Sequence, residues 1–212
     1  MFTELNIFIR NKKPFAAKVT SVLDYMFGIS YRKIKQKLEF LYGIKICITS
    51  IYKWVKKFCK NIKVATGKKY REQIAVDETC IMDRGEKLYL WAAIDLNTKE
   101  IVAYHSSIYR NSIEAGFFLR KVLDKCTNRP IIVSDRGPWY IPAFKRLHID
   151  YWHDTFKIRN PVEQLFKLVK DRTRVFYNNV GSVDLVRGTM HIGLFMKMFC
   201  FYYTAIGGIM LK

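Results

Sequence analysis

After residue 72 the hydrophobic pattern changes period, and that change limits the folds open to this 212-residue chain. Before it, apolar residues recur every three or four positions, as on amphipathic helices. Beyond it come β-prone runs over 73–79 (QIAVDET), 87–95 (KLYLWAAID) and 100–108 (EIVAYHSSI). Turn chemistry at Asp83–Gly85 and Asp95–Thr98 separates them, which predicts three successive antiparallel strands. A helical run over 112–125 follows, with Ile113, Phe117, Leu119, Val122 and Leu123 among its apolar positions. Then come an apolar strand (130–134, PIIVS), a short helix (139–147), a strand (149–152) and a long helix from Pro161 to about Tyr177.

Three strands, a helix, a strand, a helix, a strand and a helix is the order of a ribonuclease H-like α/β domain, with a mixed five-stranded sheet and flanking helices. Three helical patterns precede it. Over 15–26 the apolar stripe is Ala16, Val19, Val22, Leu23 and Met26. Ser30 can cap a second helix, with Tyr31, Ile34, Leu38, Leu41 and Tyr42 inward and Gly43 as its stop. Thr49 can cap a third, whose apolar face is Ile51, Trp54, Val55 and Phe58. That leaves Ser50, Lys53, Lys56, Lys57 and Lys60 on its outer face.

Charge separates the two parts. Residues 1–71 hold 17 Lys and Arg against three acids (Glu4, Asp24, Glu39), whereas the remainder holds 20 against 15. A net charge of +19 makes an acidic enzyme or a neutral scaffold improbable and favours a polyanion, above all nucleic acid, as partner. A trihelical unit ending in a lysine-rich helix suits a helix-turn-helix, with Ser50, Lys53, Lys56, Lys57 and Lys60 facing double-stranded DNA. The same pattern is also that of a solvated face on an ordinary bundle. The expected division is a helix-turn-helix module over 1–60, a basic linker over 61–72 with Gly67 as its flexible point, a catalytic core over 73–180, and a C-terminal helical segment over 181–212 packed on that core.

Three acids stand out. Asp77 interrupts an apolar strand, and burying an acid there is unfavourable unless something compensates it. Alternation alone would let it point to a solvated face. Asp135 lies just past the end of a buried strand, where α/β sheets line their ligand crevices, although an ordinary turn also uses Asp. Glu163 falls at the third position of a helix with Asn160 as N-cap and Pro161 first, where it could simply close a capping box. It also shares a face with Lys167, Lys170 and Arg174, a stripe suited to a phosphate backbone, while Val162, Leu165, Phe166, Val169 and Phe176 take the other side. Three carboxylates drawn together repel one another unless cations intervene. Oxygen-only donors favour two Mg²⁺ ions, with Mn²⁺ able to substitute. The histidines show no metal spacing; His153, ten residues before Glu163, is read as structural or phosphate-contacting.

VDET (76–79), YLWAAID (89–95), SDRGPWY (134–140) and RNPVEQLFKLVKDRT (159–173), in this order, resemble the catalytic core of DDE insertion-sequence transposases of the compact prokaryotic branch. GISYRKIKQKLEF and SIYKWVKKF resemble that family's DNA-binding module. The resemblance implies that Asp77, Asp135 and Glu163 form a metal-binding catalytic triad in a ribonuclease H-like fold. The activity expected is binding of an element's terminal inverted repeats, metal-dependent 3′-end cleavage and strand transfer into target DNA. Lys167, Lys170 and Arg174 are the expected phosphate contacts in the core, and Trp139 is placed to stack on a displaced base or to pack in the core. Joining two element ends implies a homodimer or larger synaptic assembly. A catalytically inactive regulator derived from a transposase, and a nuclease that cuts without joining, are the competing functions. Only 27 residues separate Asp135 from Glu163, which requires a short intervening loop.

The apolar run 193–211 is interrupted by Lys197 and carries Gly207 and Gly208 near its end, so a core helix is expected there, capped by Asp184, and not a membrane span. The opening MFTELNIFIRNKK has no cleavage-site pattern, so no signal peptide is expected. Five scattered cysteines (Cys47, Cys59, Cys80, Cys126, Cys200) without a CxxC read as buried thiols in a reducing compartment. The expected location is therefore the prokaryotic cytoplasm, on the nucleoid.

Overall fold

A computed structural model describes residues 8, 12–62, 67–83, 85–153, 160–176 and 184–205. Three helices come first: α1 (Phe15–Met26), α2 (Tyr31–Tyr42) and α3 (Ile48–Asn61). Ser30 caps α2 by accepting the Lys33 N–H at 3.4 Å, and Gly43 ends it in the left-handed region at φ 63°. Helix α3 begins one residue before the expected cap: Cys47 holds the N-cap position with no side-chain cap bond, and its Sγ lies 3.0 Å from Ser50 Oγ.

The inward faces follow the expected stripes where neighbours exist to cover them. Ile51, Trp54, Val55 and Phe58 of α3 are buried, as are Tyr31, Ile34 and Leu38 of α2. Leu41 and Tyr42 are exposed, because the chain turns away at Gly43 and, among the described residues, nothing packs beyond the last turn of α2. In α1 the stripe is rotated. Ala17, Val22, Tyr25 and Met26 are buried, Ala16 and Leu23 are exposed, and Tyr25 stacks on Tyr31 with ring centroids 4.6 Å apart. That aromatic pair sets the helix rotation, and periodicity carries no trace of it.

The second part contains β1 (Gln73–Asp83), β2 (Glu86–Asp95), β3 (Ile101–Ser107), α4 (Ser112–Leu123), β4 (Ile131–Ser134), α5 (Tyr140–Leu147), β5 (Tyr151–His153), α6 (Asn160–Phe176) and α7 (Leu185–Ala205). The strands form one sheet in the order β3-β2-β1-β4-β5. β1, β2 and β3 pair antiparallel, while β4 runs parallel to both β1 and β5. This is the mixed five-stranded sheet with flanking helices that the element order predicts.

The sheet has two covered faces. On one, Ile74, Val76, Trp91, Ala93 and Ile132 pack with Phe118, Leu119 and Val122 of α4 and with Tyr140 and Phe144 of α5. On the other, Ala75, Leu90, Ala92 and Val133 pack with Val162, Leu165, Phe166 and Val169 of α6 and with Phe195 and Phe199 of α7. That second cluster continues into α1–α3, so α7 joins the helical module to the sheet. Asp184 caps α7 by accepting the Arg187 N–H at 2.7 Å. Among the described residues no helix is long and apolar enough to cross a membrane. Cys59, Cys126 and Cys200 are buried, but Cys47 and Cys80 are exposed: the first sits at a helix entry, the second lies opposite Tyr89 outside the buried clusters. Ile113 and Phe117, expected on the inner face of α4, are also exposed.

Inside the segment read as a linker, Lys69, Arg71 and Glu72 are tied to the core. Lys69 bridges Cys126, and Arg71 is fully buried, with Nη1 2.7 Å from Asp95 Oδ2 and Nη2 3.2 Å from Glu100 Oε2.

Candidate active site

Parallel pairing of β1 with β4 builds the acidic edge. Ala75 is opposite Val133, and both side chains enter the α6–α7 face. Two residues on, strand alternation puts Asp77 on that same face, opposite Ala92 of β2, and Asp135 follows one residue past the end of β4. Asp77 is half-buried, and its Oδ1 accepts the Glu78 N–H at 2.8 Å. Asp135, past the end of β4, uses Oδ1 to accept the Gly137 N–H at 2.9 Å, which fixes its loop as an Asx turn. His153 at the end of β5 has Nδ1 3.2 Å from the Asp135 carbonyl oxygen, supporting that loop from below.

Glu163 sits in the first turn of α6 with its side chain exposed. The apolar face of α6 lies on β1 and β2, on the side of the sheet that carries Asp77 and Asp135. Asp77 and the helix that carries Glu163 therefore share one face, with Asp135 in the loop that leaves the neighbouring strand. Asp77 and Asp135 both act on the Glu78 carboxyl; no three acidic, histidine or cysteine side chains among the described residues converge on one point. Lys167 and Lys170 are exposed on α6, as expected, while the side chains of Asn160 and Arg174 lie outside the described residues. On α3, Lys53, Lys57 and Lys60 are exposed and Ser50 is half-buried. Lys56 is half-buried, with Nζ 5.6 Å from the centre of the Tyr52 ring.

The sequence reading passed over Glu78. Next to Asp77 on a strand, it must point to the opposite face, into the α4–α5 cluster. There its carboxylate accepts hydrogen bonds from Tyr140 Oη at 2.8 Å and Trp139 Nε1 at 3.2 Å, with Arg110 Nη1 3.8 Å away. The Glu78 carboxyl is pushed up to about 7, chiefly by burial; the bonds from Tyr140 and Trp139 oppose the rise, and Asp77 and Asp135 add to it. Both aspartates are thus close enough to act on one buried acid. The signal was present in the sequence: of two adjacent acids in a strand covered on both faces, one must find donors inside. Trp139 is accordingly neither a simple core residue nor free to swing out. Its ring carries the Arg110 guanidinium 4.3 Å from its centre and its N–H holds Glu78. Gly137 makes room for it, since a Cβ there would lie 2.8 Å from the indole ring.

A mixed sheet in this strand order, flanked by helices and preceded by a trihelical unit, defines a ribonuclease H-like fold. Residues 71–192, more than half of the chain, match the model of the DDE domain of IS240-type transposases. An uncharacterized protein of Methanocaldococcus jannaschii is 33% identical over 175 residues, covering 82% of this chain and 80% of its own. An uncharacterized protein of Aquifex aeolicus is 43% identical over 47 residues, 22% of this chain and 39% of that one. The fold aligns with a chain of the simian T-cell lymphotropic virus intasome, solved in complex with PP2A regulatory subunit B56 gamma. The TM-score is 0.50 and the identity 14%, and the alignment covers 84% of this chain and 66% of that longer one. The HTLV-2 integrase catalytic core domain in complex with magnesium aligns at TM-score 0.47 and 15% identity, over 63% of this chain and 86% of its own. The protein belongs to the DDE-type transposase family.

Proposed function

We propose that this chain is a DNA transposase that binds the terminal inverted repeats of its element and performs 3′-end cleavage and strand transfer at Asp77, Asp135 and Glu163. One observation carries the reading: Asp77 in β1 and Asp135, just past the end of the parallel strand β4, each come two residues after paired positions on the sheet face covered by α6, whose first turn carries Glu163. The donor set fits divalent cations. Hard carboxylate oxygens gathered on one edge, close enough to raise a neighbouring acid, are a charge arrangement that Mg²⁺ or Mn²⁺ relieves. Asp77 and Asp135 would hold the ions, and Glu163 would complete their ligands from α6. When bound, the pair of ions supplies charge that activates the attacking oxygen and stabilises the leaving 3′-oxygen of a phosphodiester.

The chain's own residues do the rest. The Asx turn at Asp135 and the bond from His153 hold one carboxylate in place. Glu78, anchored to Trp139 and Tyr140, ties β1 to the start of α5 and so fixes the spacing between the two acidic positions. Ser50, Lys53, Lys56, Lys57 and Lys60 are the proposed DNA-facing residues of α3, with Lys167, Lys170 and Arg174 on α6. A homodimer or larger assembly would bring two element ends together, in the cytoplasm where the element resides.

The test is incubation of the full chain with labelled element-end duplex, plasmid target and Mg²⁺. Nicks bearing 3′-hydroxyls together with joined products are expected. Binding without either product would favour the regulator, and nicks without joining the nuclease. Gly137→Ala is expected to push Trp139 off Glu78 and lower cleavage by about 10²-fold, the scale of an ångström-sized misplacement of a catalytic group. DNA affinity should stay unchanged; equal cleavage would show that the Glu78 anchor does not matter.

A further inference from the structure

A cleft of about 510 Å³ opens between the helical module and the edge strand β3, remote in sequence from the acidic site. Cations enter it from three directions: Lys56 and Lys60 from α3, Lys121 from α4, and Arg187 from the first turn of α7. Among the described residues that line it, none is Asp or Glu. Arg187 has a loose, exposed pairing with Asp184 at 3.4 Å.

Lys121 is oriented without being neutralised at its contact. Its Nζ lies 2.9 Å from His105 Nδ1, and His105 Nε2 lies 2.6 Å from Glu114 Oε2. Glu114 thereby selects the tautomer with the proton on Nε2, which leaves the Nδ1 lone pair to accept from the ammonium. An uncharged ring holds Lys121 at the cleft, with the Glu114 carboxylate bound to the far side of that ring.

The walls are fixed. Tyr52 Oη lies 3.3 Å from His191 Nε2, Lys197 Nζ donates to the Lys60 carbonyl at 3.0 Å, and Phe58 meets Phe201 edge-on at 5.5 Å between centroids. α3 therefore cannot turn its last lysines away without breaking its seat on α7. Cations held together at fixed separation repel one another, so the arrangement favours an anion between them. The cleft also lies near the acids. Tyr104, in its wall, pairs with Ala92, which pairs with Asp77, so two strand spacings, about 10 Å, separate them across the sheet.

We infer that this cleft is a second DNA-backbone site, in which phosphates of the strand leaving α3 are held jointly by Lys56 and Lys60 of the helical module and by Lys121 and Arg187 of the core. The inference rests on the DNA-binding reading above and adds to it the path of the duplex over the β3 edge. Recognition and catalytic parts then grip one backbone at once, and Lys121 and Arg187, outside the helix-turn-helix and outside the acidic site, carry phosphate contacts.

Fluorescence anisotropy of the full chain with a labelled element-end duplex, between 0.05 and 0.3 M salt, tests it. Each phosphate contact contributes about −0.9 to the slope of log affinity against log salt. The Lys121→Gln/Arg187→Gln double variant should therefore have a slope shallower by about 1.8 and bind about 30-fold more weakly at 0.15 M salt. Lys121→Arg/Arg187→Lys, which keeps both charges, should retain the parental slope, so a loss confined to the glutamine pair is one of charge and not of folding. An unchanged slope in the glutamine variant, with the parent still binding DNA, would overturn the cleft alone. A parent that binds no duplex would overturn the cleft together with the function it rests on. Displacement of the duplex by poly-glutamate at equal charge, in the parent but not in the glutamine variant, would assign the cleft to an acidic protein instead and overturn the proposal.

Discussion

Asp135→Asn is expected to lower DNA cleavage by about 10³-fold, the scale of removing one preorganised charged group from transition-state stabilisation. Affinity for the element-end duplex should not change, because the residues proposed to bind DNA lie on α3, α4, α6 and α7 and not at Asp135. The substitution keeps the shape of the site: the amide oxygen of Asn can still accept the Gly137 N–H that Asp135 Oδ1 accepts at 2.9 Å. What it removes is one negative charge beside Asp77 and Glu78, whose carboxyl the two aspartates push upward. The melting temperature should therefore stay level or rise. Lost cleavage, retained binding and undiminished stability together are the mark of an acid placed for catalysis at a cost to the fold. Parental cleavage by the variant would remove Asp135 from the mechanism. A fall in both binding and stability would make it a structural turn residue.

Arg71→Ala is expected to destabilise the chain by about 3–5 kcal/mol, the range for breaking a buried ion pair from one side, and to lower the melting temperature by about 10 °C. The guanidinium is fully buried, binds Asp95 at 2.7 Å and Glu100 at 3.2 Å, and its own N–H and C=O are both paired with the Asn128 side chain. Burial pushes the Asp95 carboxyl upward, but the Thr98 N–H, the Arg71 guanidinium and the Asn97 N–H outweigh it and hold it below the usual carboxylate range. A carboxyl depressed on folding adds stability above its unfolded value, about 3.9, and loses that contribution as pH falls through the lower folded value. The variant has lost the guanidinium that depresses Asp95. The gap between parent and variant should therefore be full at neutral pH and shrink below about pH 4. Chemical denaturation across pH measures it, and a gap independent of pH would mean that Arg71 acts by packing alone.

How much of this was legible in the sequence follows from range. Element order and sheet composition were readable because strand alternation, turn residues and caps act over a few positions, as at Ser30, Gly43, Asp184 and the apolar face of α3. What escaped depends on contacts between distant segments. The rotation of α1 is set by Tyr25 stacking on Tyr31, and the exposure of Leu41 and Tyr42 by what does not pack beyond Gly43. Ile113 and Phe117 have helical spacing but no element above them among the described residues. At the site, Asp77 and Asp135 could be picked out because each interrupts or ends an apolar strand. Glu78 went unread as a functional residue, although its neighbour Asp77 was noticed, because its partners Trp139 and Tyr140 are more than sixty positions away. The burial of Arg71 was hidden in the same way, by a basic run that looks like a solvated linker.

The most direct measurement is anomalous diffraction from crystals of the full chain soaked in Mn²⁺. The account requires a peak between the carboxylates of Asp77 and Asp135, with Glu163 reaching it from α6 once DNA is bound, and no such peak in Asp77→Asn/Asp135→Asn crystals. Manganese bound elsewhere, with the space between those two carboxylates empty at saturating metal, would contradict it.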